Sequence, residues 1–158
     1  MSNKLVPGLE LPPLAQVGFV VRDLASAMSY YHPLFGEFPV RMEHEFENMI
    51  FRGKPVAGKL AIAIAKSGEV EIELIEVVRG YTLHSEFLEQ RGEGMHHLGF
   101  IIDDMDEMLA RAERASFKPV CGERIPGVAD YEYLESEHHP GLVLEFLEYK
   151  DPSQKPGA

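Results

Sequence analysis

The sequence predicts an α+β fold built from two similar βαβββ halves that pair across a shared concave face. Three observations carry that prediction. Short runs alternate apolar and small or polar residues with the period of a strand. The run Gln16-Val-Gly-Phe-Val-Val-Arg-Asp23 has a counterpart in His97-Leu-Gly-Phe-Ile-Ile-Asp-Asp104, at an offset of 97 − 16 = 81, and Glu73-Leu-Ile-Glu76 has one in Glu145-Phe-Leu-Glu148, at 145 − 73 = 72. Each leading run is followed by a helix-like stretch containing methionine and alanine. Repeats of this length mark units that bury their faces on each other.

In chain order, residues 1–13 hold three prolines and read as an N-terminal arm. Residues 14–149 form the domain, with one module over 14–80, a linker helix within 81–94 and a second module over 95–149. Leu14 to Val21 alternates as a strand, with Gln16, Gly18 and Val20 on one side and Val17, Phe19 and Val21 on the other. Asp23 caps a helix from Leu24 to Tyr31, which His32-Pro33 interrupts because the residue before proline leaves helical geometry. Glu43 to Phe51 reads as a strand whose acidic run is a solvated edge. Lys59 to Ala65 alternates Leu60, Ile62 and Ile64 with Ala61, Ala63 and Ala65, and Val70 to Val78 is a further strand. Thr82 caps a helix over Leu83 to Gln90 that Gly92 stops. The stretch Gly94 to Asp104 places two histidines at the head of a strand, and Asp104 with Glu107 opens the next helix. His138-His139 precedes Pro140-Gly141 in a surface turn, and residues 150–158 read as a tail, frayed from Asp151 on.

Composition narrows the function. The 158 residues are 45% hydrophobic, enough for one core. Fifteen basic against 26 acidic residues give a net charge of -11, a surface that repels phosphate backbones and anionic membranes. The single cysteine, Cys121, excludes an internal disulfide framework and fits a reducing compartment. No apolar run reaches the length of a membrane span, and Met1 to Glu10 lacks the apolar core of a signal peptide, so the expected location is cytoplasmic.

Four residues fall at corresponding points of the repeat: Gln16 and His97 on the leading strands, Glu73 and Glu145 on the closing ones. Each glutamate sits among apolar neighbours, Ile72-Glu73-Leu74-Ile75 and Leu144-Glu145-Phe146-Leu147. A carboxylate on a buried sheet face is costly unless it is paired or bound to a cation. If the halves pair about a pseudo-twofold axis, the four side chains meet. One imidazole, one amide oxygen and two carboxylates suit a divalent ion: zinc first, with nickel, cobalt and manganese as alternatives. Strand alternation turns His96 away from the face that His97 uses. The alanines at 61, 63 and 65 would widen the cup, and Tyr131 and Tyr133 would narrow its other side. Glu76 and Glu148, which also repeat, fall on the opposite strand face and read as solvated.

The stretches QVGFVVRDL…YYHPLFG, IELIE, GEGMHHLGFIIDDMDEML and GLVLEFLE resemble the vicinal oxygen chelate superfamily, above all its methylmalonyl-CoA epimerases and glyoxalase I-like members. The resemblance runs from Leu14 to Tyr149. It implies an open eight-stranded barrel-like cup around a divalent metal held by Gln16, Glu73, His97 and Glu145. It also implies a small-molecule carbonyl substrate and a homodimer. Epimerases of this type usually place a histidine where Gln16 stands, and the Gln/Glu/His/Glu set is that of zinc-type glyoxalase I enzymes. The helix SAMSYYHPLFG lacks the arginine those enzymes use for glutathione. The expected chemistry is epimerisation or isomerisation: removal of a proton α to a carbonyl, with Glu145 as the base and Glu73 as the alternative. A glyoxalase-type lyase acting on a thiol adduct comes second, and a non-catalytic ligand-sequestering protein third. An iron dioxygenase fits poorly, because it needs a histidine at position 16.

Overall fold

In the computed structural model, which describes residues 8–156, eight strands close into one barrel in the order β1-β4-β3-β2-β6-β7-β8-β5. The first module comprises β1 (Gln16–Val21), α1 (Leu24–Phe35), β2 (Val40–Phe51), β3 (Lys54–Ser67) and β4 (Val70–Arg79). After α2 (Leu83–Arg91), the second comprises β5 (Gly94–Ile101), α3 (Met105–Arg114), β6 (Lys118–Ile125), β7 (Ala129–Glu135) and β8 (Val143–Tyr149). The leading strands β1 and β5 pair antiparallel, while each pairs in parallel with the closing strand of its own module, β4 or β8. The far seam is short: β2 meets β6 only through Ile50 opposite Gly122 and Phe51 opposite Cys121.

Three packed clusters follow from the alternation. Val21, Ala27, Phe38, Ala63, Ala65, Ile72 and Leu74 pack outside the barrel beneath α1. Phe100, Met105, Met108, Leu134, Leu144 and Phe146 do the same beneath α3. Phe46, Met49, Leu60, Ile62, Ile75, Leu83, Cys121 and Tyr133 form the third. The alanine row therefore does not widen the cup. Ile64 stands opposite Glu73 and Ile62 opposite Ile75, so the bulky residues of β3 share the glutamate's face and the small ones let α1 lie close.

Both modules hold their helices in the same way. Asp23 accepts from Ser26 N at 2.8 Å and Asp104 from Glu107 N at 3.0 Å, which caps α1 and α3. Glu76 and Glu148 are half-buried rather than solvated: Glu76 accepts from Leu24 N at 2.7 Å and Glu148 from Met105 N at 2.8 Å. Each places a carboxylate at the positive end of its module's helix, which explains why both repeat. Helix α1 runs through His32-Pro33 to Phe35. Pro33 removes only the bond to the carbonyl of Ser29, an exposed residue, so that carbonyl can be hydrated. Strand β2 begins at Val40, three residues early, because β3 is long enough to offer Ile64 as its partner.

The ends of the described chain are attached. Leu9 and Glu10 carbonyls accept from Arg111 Nη2 on α3, at 2.6 and 3.2 Å. The stretch expected to fray forms a single 3-10 turn, Pro152–Gln154, and Lys155 Nζ lies 2.7 Å from Asp103. Residues 1–7 of the arm and 157–158 of the tail lie outside the described residues.

Candidate metal centre

Gln16, Glu73, His97 and Glu145 converge inside the barrel, and each is more than nine-tenths buried. His97 Nε2 stands 3.0 Å from Gln16 Oε1, 3.1 Å from Glu145 Oε2 and 3.4 Å from Glu73 Oε2. Ligand atoms about 2.1 Å from a common tetrahedral centre would be roughly 3.4 Å apart, so these contacts are close enough for the atoms to share one ion. Glu73, His97 and Glu145 offer atoms that all lie within 4.8 Å of one another.

Two glycines at equivalent points of the repeat make the convergence possible. Gly18 is opposite both Glu73 on β4 and His97 on β5, and Gly99 is opposite both Glu145 on β8 and Gln16 on β1. A Cβ on Gly18 would fall 1.9 Å from His97 Cε1. One on Gly99 would stand 3.0 Å from Gln16 Cβ and 3.4 Å from Glu145 Oε2. Each module thus supplies a bare patch of backbone over which the other module's ligand lies.

Charge decides what the site can hold. Burial opposes a charge on His97, but the Glu145 and Glu73 carboxylates outweigh it and lift the imidazole to about 9. Burial, reinforced by the neighbouring Glu145, lifts Glu73 above the usual carboxylate range, and contact with His97 offsets part of that. A protonated His97 balances one of the two carboxylates; a divalent cation with neutral His97 balances both. The Gln16 amide suits either state: with its nitrogen inward it donates to Glu73 Oε2 at 2.8 Å and Glu145 Oε2 at 3.1 Å, and with its oxygen inward it can join the donors of a cation. The donor set therefore fits a divalent ion.

His96 does not turn away. The β1–β5 register shifts between Gly18 and Phe19, which face His97 and Met95, so His96 is the unpaired residue of a β-bulge. The bulge brings its ring to the side of His97: their Nδ1 atoms are 3.1 Å apart and their ring centroids 5.3 Å. With His97 Nε2 directed at the carboxylates or an ion, its Nδ1–H remains to donate to His96, the kind of bond that fixes a ligand's tautomer. Burial, then His84 and His97, keep His96 neutral, with its imidazole well below the ordinary histidine range.

Sequence reasoning placed Tyr131 and Tyr133 on one side of the cup but did not single out the groups that partner them. The N-terminus of α2 brings the fully buried Thr82 and His84 close to the site. His84 Nε2 lies 3.2 Å from the Tyr133 hydroxyl, and burial pushes the imidazole down to about 3. Tyr133 packs edge-on against His97 at 5.1 Å, which places it within the cluster of site residues. On the far wall, Glu123 accepts from the Tyr131 hydroxyl at 3.0 Å and lies 2.8 Å from His44 Nε2. Tyr131 is two residues from Tyr133 on β7 and opposite both Glu123 and Leu147, so this trio shares the barrel's inner face with Glu145. His44 carried no signal in the sequence because it sits within an acidic run. His138 and His139 are exposed in a turn, with His139 stacked on Phe117.

These features define the class of the protein. The glyoxalase/bleomycin resistance protein/dioxygenase superfamily profile matches residues 15–133, and the chain belongs to that family. Among curated relatives, the Bacillus subtilis protein YqjC is 28% identical over 96 residues, and the chain spans about three fifths (61%) of its length, as the match does of this chain. Solved structures share the fold. Methylmalonyl-CoA epimerase from Mycobacterium tuberculosis superimposes with a TM-score of 0.61 at 21% identity, over 96% of this chain and 95% of that one. The E43Q variant of the Streptomyces coelicolor methylmalonyl-CoA epimerase, in complex with 2-nitronate-propionyl-CoA, gives 0.65 at 18%, over 90% and 100%. Protein BH1468 from Bacillus halodurans gives 0.63 at 20%, over 90% and 98%. Among the described residues no helix is long and apolar enough to cross a membrane.

Proposed function

We propose that the chain is a divalent-metal-dependent epimerase or isomerase that removes and returns a proton α to a thioester carbonyl, as a cytoplasmic homodimer. The observation that supports this reading is the meeting of two buried carboxylates, an imidazole and an amide at one point of a barrel shared with acyl-CoA epimerases. Gln16, Glu73, His97 and Glu145 would hold the ion. When bound, it supplies a Lewis acid that makes the C–H next to a coordinated carbonyl acidic. Glu145 takes the proton, with Glu73 as the alternative base. Gln16 and His97, neutral and seated over Gly99 and Gly18, keep their positions while charge moves. Tyr133 and His84 close one side of the site against water. The opening beside Gln16 and Glu145, which Glu71, Ile101 and Leu147 also line, measures about 10 Å³, room for roughly one water.

The test is incubation of the metal-loaded protein with methylmalonyl-CoA in deuterated water. Deuterium should enter the α-position and the two epimers should equilibrate. Absence of both, with metal bound, refutes the reading. The Gln16 amide, which resembles glyoxalase I rather than the epimerases, supports a second reading, a lyase acting on a thiol adduct. Turnover of a glutathione hemithioacetal, with no exchange into acyl-CoA, would establish it instead.

A further inference from the structure

A cavity of about 510 Å³ lies between α2 and the adjoining ends of β6 and β8, and none of the four metal-site residues lines it. Its size is that of a small-molecule site. Leu83, Phe87, Val120 and Val143 give it apolar walls. Arg52, at its edge, is engaged by Glu86 and Glu135. Arg91 and Lys118 also line it and make no ion pair among the described residues; Glu137, exposed, is the remaining acid. The lining balances three cations (Arg52, Arg91, Lys118) against three carboxylates (Glu86, Glu135, Glu137) on a chain whose net charge is -11, and both cations away from Arg52 are without an ion-pair partner among the described residues.

The second observation is His96. It lines this cavity yet is only 4% exposed, held edge-on by Phe87 at 5.0 Å and by a tilted His84 at the same distance. Its Nδ1 is taken by His97. Its Nε2 has no hydrogen-bond partner among the described residues, and it is not sealed, because no unpartnered side-chain nitrogen or oxygen among them is cut off from solvent. Accepting from His97 Nδ1–H leaves His96 with its proton on Nε2. The cavity therefore ends in an N–H donor on a nearly buried ring, which no protein group accepts from and which solvent or a ligand can reach.

We propose that this cavity binds a carboxylate with an apolar body, its oxygen accepting from His96 Nε2, its charge met by Arg91 and Lys118, and its body packed on Leu83, Phe87, Val120 and Val143. A single buried donor and two flexible cations match a monoanion better than a phosphate, which needs several fixed donors. The site goes beyond the epimerase reading and does not require it, since no metal-site residue lines the cavity.

Titration of the full chain with phenylacetate, followed through the imidazole nitrogen resonances, tests the assignment. Saturable movement of the His96 Nε2 signal is expected, with phenylacetamide at least about tenfold weaker, the scale of a hydrogen bond to a charged group. His96→Phe should weaken phenylacetate by a similar factor. The double variant Arg91→Gln/Lys118→Gln, which alters only exposed side chains, should weaken it several-fold with folding unaffected. No movement of His96, equal affinity for phenylacetamide, or undiminished binding in the double variant each overturns the proposal. Loss of activity on acyl-CoA with phenylacetate binding intact would instead remove the epimerase reading and leave this one standing.

Discussion

Replacing Gly18 with alanine inserts one methyl group where the fold has no room for it. The new Cβ would lie 1.9 Å from His97 Cε1, 2.4 Å from Nδ1 and 2.5 Å from Nε2, against an ordinary contact that begins at 3.4 Å. The ring must withdraw by the 1.5 Å shortfall or β1 must leave β5. Withdrawal carries Nε2 beyond reach of Gln16 Oε1 and Glu145 Oε2, now 3.0 and 3.1 Å away. Overpacking of this kind costs about 1–3 kcal/mol, and uncoupling the buried carboxylates from His97 adds to it. A total near 3 kcal/mol lowers the melting temperature by roughly 6–12 °C in a chain of this length. Gly99→Ala is the control. There the nearest atoms are at 3.0, 3.3 and 3.4 Å, two of them on flexible side-chain ends, so a shift of a few tenths of an ångström suffices. Its loss should be about 1 kcal/mol. Differential scanning calorimetry and Co²⁺ titration of both variants measure the contrast. A Gly18→Ala protein that binds cobalt as the parent does and melts within a degree or two of it would refute this geometry.

Other consequences are open to direct measurement. The His97 imidazole, lifted to about 9 from an ordinary 6.5, contributes stability to the metal-free chain that is complete below pH 6.5. That contribution is lost as pH rises through 9, so metal-free melting temperature should fall across this window and the metal-loaded form should not follow. The same proton competes with the ion, so metal affinity should rise with pH by up to about tenfold per unit until pH 9, as isothermal titration would record. His96→Leu removes the acceptor for His97 Nδ1–H and should weaken Co²⁺ binding about 10–100-fold, with His96→Asn restoring most of it; equal affinity in all three proteins would dissociate His96 from the ligand. Glu145→Gln should lose deuterium exchange into methylmalonyl-CoA. Exchange that persists in a variant shown to retain metal would pass the role of base to Glu73.

Much of the site was legible because duplication writes the same instruction twice. Gln16 and His97, Glu73 and Glu145, and Gly18 and Gly99 occupy matched positions, and an acid between apolar neighbours has few reasons to be there without a partner. The repeat also carried Glu76 and Glu148, but their task was misjudged: a strand-end carboxylate looks solvated until the helix N-terminus beside it is known. The alanines of β3 were assigned to the wrong face for a related reason. Alternation divides a strand into two sides without saying which of them a neighbouring strand turns inward.

The sequence by itself determined the modules, their pairing and the four inward side chains, since these rest on periodicity and repetition, which are properties of the chain alone. Tertiary structure decided the rest. The bulge that swings His96 beside His97 arises from one residue more on β5 than β1 can match, and the insertion of Thr82 and His84 beside the site depends on where α2 meets the barrel. The approach of Glu123 to His44 depends on a seam between strands some 80 residues apart in the chain. Such features arise where separate segments must fit one another, and no local pattern encodes the fit.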